Sequence, residues 1–271
     1  MEIILAVVGL AFAAFCVWTV VRVVNEPKRW QRYLGMLVSV VLLLGGVFSC
    51  LIILSQGQPR GSARRSQCKN NLRQVGLALH NYHEKYGCFP PPYVADENGR
   101  PMHSWRVLIL PYLDQAPLYG KYRFDEPWDG PNNRKLADAI LAVYNCPSDD
   151  HGQNTNATTM TNYVAIVGPE TAWTGRGAVT FRDITDGTSN TLLIVEVANS
   201  GIHWMEPRDL HVVQMAPTIN AKSGQGISSR HMGGAQALLA DGSVRFISEQ
   251  LTPESIRALL TGHAGDEIPD F

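Results

Sequence analysis

Three observations predict an α+β fold, with two N-terminal transmembrane helices ahead of a domain that packs one long amphipathic helix on an antiparallel β-sheet. Two long apolar runs open the chain, a single stripe of helical period follows them, and the C-terminal half changes to short apolar runs separated by Gly, Asp and Asn. Helical and strand patterns kept in separate parts of one chain are what an α+β layout requires.

From Ile3 to Val24 the run "IILAVVGLAFAAFCVWTVVRVV" is apolar except for Thr19 and Arg22, which meets the roughly 20 residues a membrane span needs. A second run, "YLGMLVSVVLLLGGVFSCLIIL", extends from Tyr33 to Leu54. The first run lacks the basic start and small-residue cleavage site of a secretory signal. Residues 1–55 therefore read as a two-helix transmembrane hairpin with the lipid bilayer as its partner. Lys28, Arg29 and Arg32 crowd the loop between the runs, so the positive-inside rule places that loop in the cytoplasm and the main domain outside. Arg60, Arg64, Arg65, Lys69 and Arg73 argue the other way, with less weight because a long domain translocates largely regardless of charge.

The formal net charge is -1, which gives no global footprint for nucleic acid. Cys16 and Cys50 fall in the apolar runs, leaving Cys68, Cys88 and Cys146 beyond them. Three thiols cannot all pair internally. An exported domain is compatible with one disulfide among them, and spacing does not choose the pair. With no CxxC in the sequence, a zinc ribbon is disfavoured.

Residues 56–61 read as a polar linker and residues 62–271 as the main domain. Within "SARRSQCKNNLRQVGLALHNYHEKYG", apolar or aromatic residues recur at Cys68, Leu72, Val75, Leu79, Tyr82 and Tyr86, steps of four and three that build one helical stripe. Ser62 suits the N-cap and Gly87 the stop. The prolines of "CFPPPY" then force the chain out of helix. Short helical pieces broken by proline follow, and then the strand-like runs "NYVAIV", "TLLIVEV", "AQALLA" and "SVRFIS". In "LTPESIRALLTG", Thr252 caps a last helix with Pro253 at its first position.

The blocks "RRSQCKNNLRQVGLALHNYHEKYGCFPP", "SWRVLILPYLDQAPLYGKYRFDEPW", "CPSDD", "TNYVAIVGP", "ITDGTSNTLLIVE", "WMEPRDL" and "RHMGGAQALLADGSVRFIS" together resemble a large bacterial family of prepilin-like proteins of unknown function that end in a His-x9-Asp-Gly motif. The resemblance runs from about Ala63 to Gly262. It implies a fold related to type IV pilins and type II secretion pseudopilins, a structural role without catalysis or cofactor, and partners that are secretion or pilus-type assembly proteins or copies of itself. On this resemblance Cys68, Cys146, Asp186, Gly187, His231, Asp241 and Gly242 are structural positions. Pilin precursors carry one N-terminal span with a glutamate that pairs with a neighbour's new amino terminus. In "GMLVSV", from Gly35 to Val40, Val40 stands where that glutamate would be. The departure implies a pilin-type domain that is not threaded into a pilus as an ordinary subunit.

Each candidate for chemistry has a plainer reading. "ADGS" between two strand-like runs is a hairpin turn, and ten extended positions hold His231 and Asp241 roughly 30 Å apart, too far for direct His–Asp chemistry. His80, His83 and Glu84 share a helical face, but two histidines without a third ligand make no metal site. Asp149, Asp150 and Asn154 could offer oxygen ligands to calcium, yet the spaced loop and closing glutamate of such sites are missing. Ser189 has no nucleophile elbow around it. Trp105, Trp128, Trp173 and Trp204 could line a sugar-binding face, with core packing as the competing role. The expected function is a non-enzymatic scaffold or accessory component of a secretion or surface-assembly system. An envelope ligand-binding module is the alternative, and a hydrolase the weaker one.

Overall fold

The structure, a computed structural model, describes residue 18 and residues 30–149, 159–175, 177, 179–221 and 226–265. The chain divides into two compact units, Met1–Arg60 and Gly61–Phe271, and is α+β with a five-stranded sheet.

The two transmembrane helices expected at Ile3–Val24 and Tyr33–Leu54 are corrected: among the described residues, no helix is long and apolar enough to cross a membrane. Of the first run only Trp18 is described. The second run forms no separate span; it is the opening part of α1, Trp30–Tyr86, a 57-residue helix. The same helix takes in Arg60, Arg64 and Arg65 without a break in its hydrogen bonding. Residues 56–61, read as a linker, are helical, and the two units divide within them. Ser62 therefore lies inside α1 instead of capping it. Gly87 ends the helix as expected, with φ 76° and its N–H donating to the His83 carbonyl at 2.7 Å.

In the Gly61–Phe271 unit, β1 (Tyr93–Ala95) and β2 (Pro101–Ser104) form a small antiparallel pair. The short helices α2 (Trp105–Leu108) and α3 (Ala116–Tyr119) follow. The main sheet contains β3 (Tyr163–Val167), β4 (Leu192–Glu196), β5 (Leu210–His211), β6 (Gly234–Leu239) and β7 (Val244–Ser248), in the order β5-β3-β4-β6-β7. Its ladders are antiparallel except for β3 with β5. Helix α4, Pro253–Leu260, closes the fold, with the Thr252 side chain accepting from the Ser255 N–H.

The sheet is apolar on both faces, and each face has its own core. On one side Cys68, Leu72, Val75, Ala78 and Leu79 of α1 pack with Tyr163, Ala165, Leu193 and Leu238. On the other, Ile256, Leu259 and Leu260 of α4 meet Val164, Ile166, Val195, Ala237 and Ile247. The alternation of Tyr163 and Ala165 with Val164 and Ile166 between the two cores is the two-residue period of a strand. Gly76 sets how closely α1 approaches the sheet, because a methyl group there would lie 2.7 Å from Leu238 Cδ1. Leu77, on the opposite side of the helix, is 63 % exposed.

Candidate functional site

The β6–β7 hairpin carries both ends of the His231 to Asp241-Gly242 motif. Val244 pairs with Leu238 and Ser248 with Gly234, so Asp241-Gly242 forms the turn and His231 precedes the far end of β6. Gly242 has φ 83°, a conformation that glycine adopts without a Cβ clash. The Asp241 carboxylate accepts from the Ser243 N–H at 2.8 Å. His80, from the middle of the α1 stripe, lies 3.0 Å from the Ala240 carbonyl. The turn is also tied to the Asp186-Gly187 loop, since the Asp241 and Ala240 N–H groups donate to the Thr188 and Thr191 carbonyls. Asp186 in turn accepts from the backbone of Ala264 and Gly265 at 2.9 and 2.8 Å.

At the other end of β6 four buried side chains from four separate segments converge: Cys68 of α1, Cys146 after the Ala142–Tyr144 turn, Glu196 at the end of β4, and His231. Cys68 and Cys146 form a disulfide with Cα atoms 5.1 Å apart, within the usual range. This settles the pairing that spacing left open, and of the three cysteines beyond the apolar runs Cys88 is the free thiol. His231 Nε2 is 3.5 Å from Cys146 Sγ and 3.5 Å from Glu196 Oε1.

Distance alone would make His231 and Glu196 an ion pair, but their surroundings favour the neutral forms. Burial pushes the Glu196 carboxyl up to about 8, with Asp149 adding to the rise while the Gln236 N–H and Arg65 oppose it. Burial and the nearby Arg65 hold His231 below the usual imidazole range. At neutral pH the contact is a carboxylic acid beside a neutral imidazole. The Gln236 N–H donates to Glu196 Oε2 at 3.1 Å and leaves Oε1 turned to His231.

A polar belt fixes these groups. The Asn162 side chain accepts from the Cys146 N–H at 2.8 Å and donates to Asp149 at 2.6 Å. Asp149 also accepts from the Asn199 N–H at 2.8 Å and lies 3.4 Å from Arg230 Nε. Asp149 thus joins three loops; Asp150 and Asn154, read beside it as oxygen ligands, lie outside the described residues. His83 is packed between Phe89 and Phe181, with ring centroids 5.0 and 4.3 Å away. Among the described residues, the metal-competent cluster of three or more ligand side chains is Cys68, Cys146, Glu196 and His231, apart from the His80–His83 pair. Ser189 lies in the Asp186–Asn190 turn.

The tryptophans are mostly interior. Trp105, Trp173 and Trp204 are buried and Trp128 is half-buried. Trp105 donates to Asp209, Trp173 donates to the Pro90 carbonyl, and Trp128 stacks on His203 at 5.6 Å. The faces of Trp105, Trp173 and Trp204 are taken up by packing, while Trp128 stays partly exposed.

Two groups escaped the sequence reading. Glu196 ends the apolar run "LLIVE", and a lone carboxyl after four apolar residues was the available signal of a buried acid. Asp209 accepts from Arg106 Nη2 at 2.5 Å and from the Ala165 N–H at 2.7 Å. Nothing local marks Arg106 and Asp209 as partners 103 positions apart.

A search of curated proteins and a search of solved structures gave no match. A family model described as "Protein of unknown function (DUF1559)" matches residues 57–209 and 198–254, which takes in α1 from Gly57 onward, the disulfide, all five sheet strands and His231. More than half of the chain is matched, and the protein belongs to this DUF1559 family.

Proposed function

We propose that this protein is a non-enzymatic, pilin-like structural component of a secretion or surface-assembly system that works outside the cytoplasm. The observation that carries the reading is the seam Cys68–Leu72–Val75–Leu79, buried along α1 against a mostly antiparallel sheet. Such a helix keeps Leu77, on its other side, and Tyr86, at the exposed end of the stripe, open to a neighbouring subunit. The disulfide supports an oxidising compartment. The placement of the motif residues supports a structural role over hydrolysis, since His231 and Asp241 stand at opposite ends of β6 and each is engaged in local contacts.

Photocrosslinking in cells tests the assembly role, using the full chain with a benzophenone side chain at Leu77 or Tyr86. Heavier species containing further copies of the chain, or an assembly component identified by mass spectrometry, are expected. A folded protein that crosslinks to nothing from either position would overturn the assembly role. Half-exposed Cys88 reports the compartment. A membrane-impermeant maleimide should label it in intact cells, and labelling only after lysis would refute the location.

A further inference from the structure

The disulfide, the histidine and the buried acid make more than a covalent staple. We propose that the dithiol form of this protein binds one Zn2+ ion through Cys68 Sγ, Cys146 Sγ, His231 Nε2 and a Glu196 carboxylate oxygen. The same four groups would thus hold a metal when reduced and a covalent bond when oxidised.

The geometry fits the ion. Zinc–ligand bonds of about 2.0–2.3 Å in a tetrahedron place neighbouring donor atoms about 3.3–3.8 Å apart. His231 Nε2 already stands 3.5 Å from both Cys146 Sγ and Glu196 Oε1, and all four donor atoms lie within 4.8 Å of one another. The two sulfurs must move apart, and opening their bond releases them. Two thiolates, one imidazole and one carboxylate form a donor set of mixed softness that suits zinc over magnesium or calcium.

Charge and rigidity point the same way. Two thiolates and a carboxylate around Zn2+ leave one negative charge, and Arg65 lies near enough to act on both Glu196 and His231. A buried carboxyl is stable when paired or on a metal. The ligands are held from behind by the outer hydrogen bonds that metal sites use. The Gln236 N–H holds Glu196, Asn162 holds the backbone at Cys146, and the Ser229 hydroxyl accepts from the His231 N–H at 3.0 Å.

The chemistry balances with a dithiol as reductant. The S–S bond takes two electrons and two protons from the dithiol, giving two protein thiols and a disulfide on the reductant. Zn2+ then displaces both thiol protons and the Glu196 proton, and no further oxidant or reductant is needed. Reoxidation by a disulfide of the same class expels the ion.

The test uses the full chain, reduced with a water-soluble phosphine that ends as its oxide, then equilibrated with Zn2+ or Co2+ and freed of excess metal. Elemental analysis should find about one zinc per reduced chain and none in the oxidised chain, and Co2+ should give the thiolate charge-transfer and tetrahedral ligand-field absorption of a sulfur-containing site. His231→Ala and Glu196→Gln should each weaken metal binding at least tenfold, while Cys88→Ser leaves it unchanged. If His231→Ala does not fold, the isosteric Glu196→Gln, checked by near-ultraviolet circular dichroism, asks the same question. A folded, reduced wild type without stoichiometric metal, or affinity unchanged in Glu196→Gln, or affinity lost in Cys88→Ser, would overturn the site. None of these outcomes depends on whether the protein assembles.

Discussion

Gly234 begins β6 opposite Ser248, with its backbone pressed against β7. A methyl group there would fall far inside van der Waals contact distance of the Ile247 carbonyl oxygen, and backbone on both sides cannot yield as a side-chain tip can. Gly234→Ala should therefore destabilise the protein by about 1–3 kcal/mol, read as a lower urea midpoint; an unchanged midpoint would show that the two strands lie further apart. His103 makes a second residue-scale prediction. Its ring lies 2.9 Å from the Tyr122 hydroxyl and 3.2 Å from the Phe124 carbonyl, and burial holds its pKa below the ordinary imidazole value of 6.5 while the bond to Phe124 opposes the shift. The unfolded chain takes up this proton first as pH falls, so the contribution of His103 is fully present above 6.5 and is lost as pH falls towards the folded value. Between pH 8 and 5 the stability of His103→Gln should decline less than that of wild type. Parallel urea-midpoint curves would refute a buried neutral imidazole.

At the scale of the element, α1 was largely legible. Cys68, Leu72, Val75 and Leu79 lie on one face because 3.6 residues make a turn, a property of neighbours that needs no partner to be visible. All four are fully buried, and the face they form is the one the sheet covers. Leu72→Ala should cost about 2–5 kcal/mol through the lost contacts and the cavity left behind. The control Leu77→Ala, on the exposed side, should stay within about 0.5 kcal/mol. Equal losses at both positions in denaturant unfolding would mean that the helix is not seated as described. The start of the same helix was misread. Ser62 has the chemistry of a cap, but a cap needs the preceding residue to be out of helix, and here the helical hydrogen bonds run through it. The transmembrane reading of Tyr33–Leu54 failed at the same element: hydropathy reports what each side chain prefers, whereas the secondary element it belongs to is the whole of Trp30–Tyr86.

For the molecule as a whole, the Cys68–Cys146 bond closes a loop of 78 positions between α1 and the approach to β3. Restricting an unfolded chain over that length is worth about 4–5 kcal/mol in the loop-entropy view. Cys146→Ser should lower stability by that order in metal-free, non-reducing buffer, measured by urea unfolding. A loss under about 1 kcal/mol would show that the bond does not form in solution. Glu196 and His231 meet at this bond, and a separate long-range pair, Arg106 with Asp209, lies in the interior.

The sequence by itself determined the features that depend on near neighbours: the stripe of α1, the strand runs, the Asp-Gly turn and the Thr252 cap, each set by a local period or a local backbone preference. Tertiary structure alone decided which two cysteines pair, that Glu196 faces His231, that Arg106 pairs with Asp209, that three of the four tryptophans are interior, and that His231 sits beside Cys146. These are contacts between residues tens of positions apart, and no local pattern encodes them because their energy exists only once the two core faces have closed on the sheet.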